Sequence, residues 1–526
     1  MQDRQLTARG ALTGILGLTI ITVSSMYVAL RMGALPWPTV FVTVLAMSVL
    51  GHRKDSSLQE INVTHTMMSA GSMVAGGLAF TIPGLWIINP DAEVPFLQIL
   101  VMTVCGAVLG TLLSALYRRN LIEEQKLDFP IGNAAFNTLV TGIKKGRDSL
   151  KLYLSMAFSA LFTFVRDLFG WIPTVATIFK GSASVAPVAI YISPMAFAIG
   201  AMIGKIFALL WFGGAIFAFL ILTPVGIGAG WFADLGAADL FRQNLGLGLL
   251  IGTGLAVFVK ALAGSAKRMK GREKGKKLPT QGIVPVAVVL VFAVVLLALG
   301  TGMNILQALL AIAGVCLTCL LSGMITGMSG VNPMEVFGIL VMLLIQVIWQ
   351  PSLLVLFLSA GLVAVACGLS GDVMNDLKSG HMLKTDPKQQ ILAEGIGGVF
   401  GAVISVCVLF VMRKSFGGFG PGTLLPAPQA SAVASMASGL GSSPVFYIGM
   451  ALGLVLFLVK IPASAIGLGI YLPSYISIIV GLGYILSVIV KKITKASDKT
   501  MSLVSSGLLG GEGIAGVIVA IISMFA

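Results

Sequence analysis

Apolar stretches of roughly 20 residues, the length that crosses a bilayer's hydrocarbon core, recur along the whole chain. They fall near residues 10–32, 35–51, 61–83, 95–117, 151–171, 191–229, 243–263, 283–300, 304–327, 333–349, 351–370, 390–412, 443–460, 471–490 and 503–525. Backbone polar groups inside a membrane must bond within their own segment. The pattern therefore predicts an all-α polytopic membrane protein of about 15–16 transmembrane helices. The stretch 191–229 reads as one broken helix or two. Two weaker stretches, 130–143 and 426–441, start at prolines and carry Asn133 and Gln429, so they read as short spans or re-entrant helices. Irregular backbone at membrane depth is tolerated only where protein or a wet cavity covers it. Pro130, Asn133, Pro426, Gln429 and Ser431 are accordingly expected to line a translocation path. The competing reading makes them close-packed helix caps.

Composition removes the soluble alternative. Of 526 residues, 57% are hydrophobic and 10% charged, with a mean hydropathy of +1.00. Soluble domains carry about a quarter charged residues. The net charge of +14 is concentrated in a few places. These are Arg53 and Lys54, the run Arg118 to Lys151, the run Lys267 to Lys277, and Lys378, Lys384 and Lys388. Basic loops stay on the cytoplasmic side and meet anionic lipid. The N-terminus is therefore expected in the cytoplasm and the protein in the plasma membrane, with the lipid bilayer rather than nucleic acid as its basic-patch partner. The stretch from Ala11 to Met32 is long for a signal peptide and is read as the first span. Cys316 and Cys319 form a lone CxxC without a second pair or a nearby His, so no metal site is expected. A homo-oligomer is compatible with the sequence but not argued by it.

The chain repeats itself. Gly33–Phe41 resembles Ser329–Phe337, and Phe129–Gly142 resembles Leu425–Gly439. Ile190–Pro194 resembles Ile470–Ser474, and Gly248–Ala256 resembles Gly507–Ala515. The matches occur in the same order, around a basic mid-chain segment. The expected organisation is an N-terminal repeat over 1–263, a cytoplasmic linker over 264–281 and a C-terminal repeat over 282–526. Matched loops differ in charge, which suggests inverted repeats, a secondary-transporter plan with the substrate site at the repeat interface. A parallel repeat stays open.

Ionisable residues within spans are functional candidates. Glu60, His65, Arg166, Asp167, Lys205, Glu335, Asp372, Asp376, Glu394, Lys460 and Glu512 qualify. Lys205 and Lys460 can snorkel to an interface. Glu394 follows Lys388 and Gln390 near a helix start, where a solvated or dipole-stabilised carboxylate is the plain account. Glu512 lies among glycines in an apolar helix, so proton coupling, cation binding and an interhelical hydrogen bond are all open. Asp372 and Asp376 are one turn apart and share a helix face. His65 titrates near neutral pH when unperturbed. No HExxH, P-loop or GxSxG occurs, which argues against a zinc protease, an ATP-driven pump and an enzyme in general.

These stretches resemble the oligopeptide transporter family, with its yellow-stripe-like branch. "EINVTHTMMSAGSMVAGGLAFTIPGLW", "EEQKLDFPIGNAA", "LPAPQA" and "IYLP" each look like family segments. "DVMNDLKSGHMLKTDPKQQ" resembles the family's DLKxGxxxxxxPxxQQ stretch and is the most specific of them. The resemblance implies secondary active, usually proton-coupled, import of small peptides or peptide-like metal chelates, by two related halves of around sixteen segments. No cofactor is implied beyond the proton motive force. Without long extensions, the chain looks like a compact prokaryotic form. On this reading Asn62, His65, Pro130, Asn133, Tyr191, Pro426, Gln429, Ser431 and Tyr471 are expected to contact substrate. Glu512, Asp167 or Asp372 would couple protons. A passive channel or facilitative pore for small polar solutes is the alternative.

Overall fold

The computed structural model describes residues 5–33, 35, 39–51, 56–142, 147–182, 187–270, 283–329, 332–438 and 444–525. Part of the predicted linker, together with Pro36, Arg53, Lys54, Lys144 and Lys145, lies outside them. The chain is overwhelmingly helical. Its order begins α1 (Ala8–Met32), α2 (Thr39–Leu50), α3 (Leu58–Ala79), α4 (Pro83–Ile88), α5 (Phe96–Arg118) and α6 (Pro130–Gly142). Next come α7 (Arg147–Thr163), a hairpin of β1 (Val175–Phe179) and β2 (Val188–Tyr191), α8 (Pro194–Met202), α9 (Lys205–Ile216), α10 (Thr223–Gly228) and α11 (Leu235–Lys270). The later helices are α12 (Ile283–Thr301), α13 (Ile305–Ser329), α14 (Met334–Trp349), α15 (Leu353–Leu383), α16 (Pro387–Ser415) and α17 (Pro428–Ala437). The last four are α18 (Pro444–Leu458), α19 (Ala463–Tyr471), α20 (Ser474–Thr494) and α21 (Asp498–Phe525).

Among the described residues, eight helices are long and apolar enough to cross a membrane, and three shorter apolar helices accompany them. Some apolar stretches form short helices, such as α6, α8, α17 and α19, and the stretch 191–229, expected as one broken helix or two, holds α8, α9 and α10. The β1–β2 hairpin was not foreseen. It occupies the gap between the expected spans 151–171 and 191–229.

The chain forms two compact units, and neither is a sequence half. Unit one comprises 1–149, 260–437 and 520–526; unit two comprises 150–259 and 438–519. Each unit thus draws on both halves of the chain.

In unit one, α15 is the central helix. Its residues from Val355 to Asp376 are buried without interruption, and it packs on α3, α5, α13 and α14. Glycine makes this crowding feasible. A Cβ on Gly77 of α3 would stand 2.7 Å from both the N and the Cα of Val365, closer than real contacts allow. Gly77→Ala is therefore expected to cost about 1–3 kcal/mol through overpacking. The check is the melting temperature of the detergent-solubilised protein, which should fall. Packing also exchanges partners between repeats: α3 lies on α16, while α15 lies on α5.

The two Pro-led helices repeat this exchange. Phe129 and Ala427 are both left-handed, at φ 47° and 42°, immediately before Pro130 and Pro428. The Phe129 N–H donates to the Gly327 carbonyl of α13 (2.9 Å), and the Ala427 N–H donates to the Leu30 carbonyl of α1 (2.7 Å). Each Pro-led helix is thus tied to a helix from the other half of the chain, α6 to α13 and α17 to α1. The structural match is thus Pro130 with Pro428, not with Pro426, because α17 starts two residues later than the sequence match implied.

In unit two, α9 and α20 pack with α19 and α8. Glycines let α21 lie directly on α7: a Cβ on Gly511 would meet Ser159 Cβ at 2.9 Å and Ala160 N at 3.0 Å.

Candidate functional site

The family-like stretches of α3 and of the α15–α16 turn come together inside unit one. On α3, Asn62, His65, Thr66 and Ser69 follow i, i+3, i+4, i+7 spacing and are all buried. On α15, Asp372, Asn375, Asp376 and Ser379 follow the same spacing, also buried. On α16, Gln390 and Glu394 stand one turn apart and are buried. Residues so spaced share one helix face. Three polar stripes therefore meet within otherwise apolar helices.

Local sequence positions them. Ser57 caps α3, its hydroxyl accepting from the Glu60 N–H at 3.1 Å. The Glu60 side chain turns to Arg9 (2.7 Å) and to the Thr7 hydroxyl (2.6 Å) on α1. The α15–α16 turn ends at Asp386, an N-cap followed by Pro387 at the first helical position, a strong helix-start pairing. Gln389 accepts from the Gln5 and Leu6 N–H groups at 2.8 Å each, which ties down the N-terminal segment. Gln390 points the other way. Its amide donates to Thr66 Oγ1 (2.9 Å) and to the Asp376 carbonyl (2.6 Å). Gly380 is needed because any side chain there would strike Gln390.

The hydrogen bonds leave a residue of unmet charge. Ser69 donates to Asp376 Oδ2 at 2.7 Å, and Ser379 donates to Asn62 Oδ1 at 3.0 Å. The Asn62 amide lies 3.3 Å from Thr385 Oγ1. His65 Nδ1 stands 3.8 Å from Asp376 Oδ1, beyond hydrogen-bonding distance. No protein donor or acceptor reaches either ring nitrogen of His65, Asp372 Oδ2, or either carboxylate oxygen of Glu394. Both Asp372 and Asp376 act electrostatically on Glu394. The arrangement gathers three carboxyl groups and one imidazole where water is scarce. Among the described residues no group of His, Cys, Asp or Glu is placed to hold a metal ion.

The other expected site residues lie elsewhere. Pro130 is exposed at the start of α6, and the Asn133 amide donates to the Asp128 carbonyl (2.8 Å) as a local cap. Gly132 N–H reaches Asn375 Oδ1 of α15 at 3.2 Å, so α6 does border the cluster. Pro426 is buried. Gln429, half-buried, donates to the Gly33 carbonyl (3.0 Å) at the end of α1. The Ser431 hydroxyl donates to the Ala427 carbonyl (3.0 Å) of its own turn.

Tyr191, Tyr471, Asp167 and Glu512 belong to unit two. Glu512 is fully buried and fully bonded. It accepts from Ser193 Oγ (2.9 and 2.8 Å), the Met195 N–H (2.8 Å) and Arg166 Nη1 (2.9 Å). A carboxylate at the first turn of α8 complements that end's positive dipole. Asp167 takes the other edge of Arg166, at 2.6 and 2.7 Å. The Tyr191 ring faces the same guanidinium, 5.5 Å from its centroid. Arg242, which the sequence reading did not single out, donates to the carbonyls of Ile470 (2.6 Å), Tyr471 (2.7 Å) and Leu472 (3.2 Å) where α19 ends. Two breaks in unit two, before α8 and after α19, are thus held by buried arginines, since Arg166 also donates to the Ile192 carbonyl at 2.7 Å.

Glu394, Gln390 and Ser69 complete the unit-one cluster but were not expected there. The signal was the i, i+4 spacing of Gln390 and Glu394, matching that of Asp372 and Asp376.

Comparison with known proteins agrees with this layout. The family model described as OPT oligopeptide transporter protein matches residues 5–247 and 242–523. A Haemophilus influenzae protein named "Putative oligopeptide transporter" is 24% identical over 598 aligned positions, covering 94% of this chain and 92% of that protein. Two plant proteins match over shorter stretches. The rice "Probable metal-nicotianamine transporter YSL14" is 30% identical over 178 residues, 28% of this chain and 24% of its own length. The Arabidopsis thaliana metal-nicotianamine transporter YSL2 is 28% identical over 185 residues, 29% of this chain and 28% of its own. With both halves matched by one model, the chain belongs to the OPT oligopeptide transporter family and is a multi-pass membrane transporter, not an enzyme.

Proposed function

We propose that this transporter is a proton-coupled importer of small oligopeptides or of peptide-like metal chelates. One observation supports this reading above the others. Both carboxyl oxygens of Glu394 and Oδ2 of Asp372 are buried without a protein partner in the middle of the α3–α15–α16 packing. Ionisable groups inside membrane helices are expensive and mark ion and substrate paths. A passive pore has no use for carboxyl groups that only a positive charge can satisfy. The substrate class follows the relatives, one named for oligopeptides and others for metal–nicotianamine.

In this reading Asn62 and His65 face the substrate from α3, while Asn133 and Pro130 border the same region from α6. Pro426, Gln429 and Ser431 form the matching end at α17. Of the expected coupling residues, Asp372 sits in the cluster. Glu512 and Asp167 share Arg166, and we assign them first to holding the start of α8. The protein sits in the plasma membrane with its N-terminus in the cytoplasm.

The test is uptake of trialanine and of iron(III)–nicotianamine into proteoliposomes, acid outside. At least one should accumulate, and a protonophore should abolish the accumulation. Equal uptake with and without the gradient would contradict the proposal.

A further inference from the structure

Glu394 is the least accommodated charge in unit one. It is 0% exposed, and no protein donor reaches either oxygen. Each helix packed against it brings groups of known kind. From α15 come Asp372 and Asp376, both carboxyls. From α3 comes His65, aimed at Asp376, while the Glu60 of that helix is already bound by Arg9 of α1. From α5 comes Thr111, near Gly395 and Gly398. On α16 itself, Lys388 is exposed, and Lys378 of α15 donates to the Leu127 carbonyl at 2.9 Å. No cation therefore stands against the Glu394 carboxyl among the described residues. The acidic groups that act on it, Asp372 and Asp376, are of its own sign.

We propose that Glu394 carries the coupling proton, enclosed in this arrangement by Asp372, Asp376 and His65. The assignment rests on the proton-coupled reading above and adds the residue that performs it. An ionised carboxylate with neither donor nor counter-ion is not stable in the interior, whereas a carboxylic acid is. The same geometry disfavours a metal ion, since among the described residues these side chains are not placed to ligate one together. Helix α16 reaches this position because Gly397 and Gly401 let it lie against α3; a Cβ on Gly401 would stand 2.8 Å from the Gly71 Cα. A small separation of α3 from α16 would open Glu394 to water and release its proton. Loading and release are thereby linked to helix packing, as an alternating-access cycle requires. His65, neither ring nitrogen hydrogen-bonded, stands 3.8 Å from Asp376 and is free to relay the proton.

Infrared difference spectroscopy of the purified full-length protein tests this without any substrate. The carbonyl-stretch band of a protonated carboxylic acid should be present at neutral pH, should move on exchange into D2O, and should vanish in Glu394→Gln. Glu394→Asp should retain the band at a displaced frequency, which keeps the test informative if Glu394→Gln does not fold. Asp372→Asn should keep it. An identical band in Glu394→Gln, an undisplaced one in Glu394→Asp, or loss of the band only in Asp372→Asn would overturn the assignment. So would removal of the band by sodium chloride replacing choline chloride at constant pH, which would make the site a sodium site. Because the band is read without substrate, the two proposals fail separately. Proton-driven uptake without the band refutes only this one, while an intact Glu394 band with uptake indifferent to the gradient refutes the transport reading.

Discussion

Arg166→Ala is expected to destabilise unit two by about 3–5 kcal/mol, the usual cost of removing one partner from a buried ion pair. The guanidinium is shared by Glu512 at 2.9 Å and Asp167 at 2.6 Å, with Arg166 and Glu512 both fully shielded. Its removal leaves Glu512 with only Ser193 and the Met195 N–H. The Ile192 carbonyl, ahead of α8, loses its donor as well. Glu512→Gln should be milder, because an amide still accepts from Ser193 and Met195 while Arg166 keeps Asp167. The measurement is thermal unfolding in detergent, compared between the two variants. Equal losses would mean that the Arg166–Glu512 contact, rather than the unpaired charge, dominates. The helix-termination role also predicts that Arg242→Ala resembles Arg166→Ala, since both arginines hold carbonyls where a helix breaks.

Much of this was legible in the sequence, and the remainder was hidden for physical reasons. Helical character and the bilayer environment follow from apolar length alone, and the α3 and α15 polar stripes follow from 3.6-residue periodicity. The likeness of Phe129–Gly142 to Leu425–Gly439 was legible too, though the start of α17 was not. Proline fixes where a helix can start, but Pro426 and Pro428 both qualify, and the left-handed backbone at Ala427 decides between them. The division into units was invisible because it depends on partner exchange between repeats, a long-range property. Glu512 stood out in sequence by its apolar surroundings, yet its partners come from Arg166 and Ser193, hundreds of residues earlier. Glu394 had the opposite fate. Lys388 and Gln390 made it look solvated, whereas close packing of α16 on α3 through Gly397 and Gly401 buries it.

The second large effect concerns transport. With an acid-outside gradient, each pH unit is worth about 1.4 kcal/mol per proton, a roughly tenfold accumulation for one-to-one coupling. Glu394→Gln mimics the protonated side chain in size and neutrality. It should still bind substrate and exchange it across the membrane, but should lose the gradient-driven part and settle at equal concentrations. Exchange is measured by preloading vesicles with unlabelled substrate and following labelled entry. Loss of exchange together with accumulation, in a folded variant, would place Glu394 in substrate binding and not in coupling. His65→Gln should slow net uptake more than exchange if the imidazole relays the proton.

The central claim is that substrate and proton enter together through a cycle in which Glu394 is loaded and unloaded. The most direct measurement is the internal pH of proteoliposomes, followed with a trapped dye, when trialanine or iron(III)–nicotianamine is added outside without a pre-set gradient. The account predicts that the transported substrate acidifies the interior in wild-type vesicles and leaves it unchanged in Glu394→Gln vesicles that still exchange substrate. Substrate entry without acidification in the wild type, or undiminished acidification in Glu394→Gln, would contradict it.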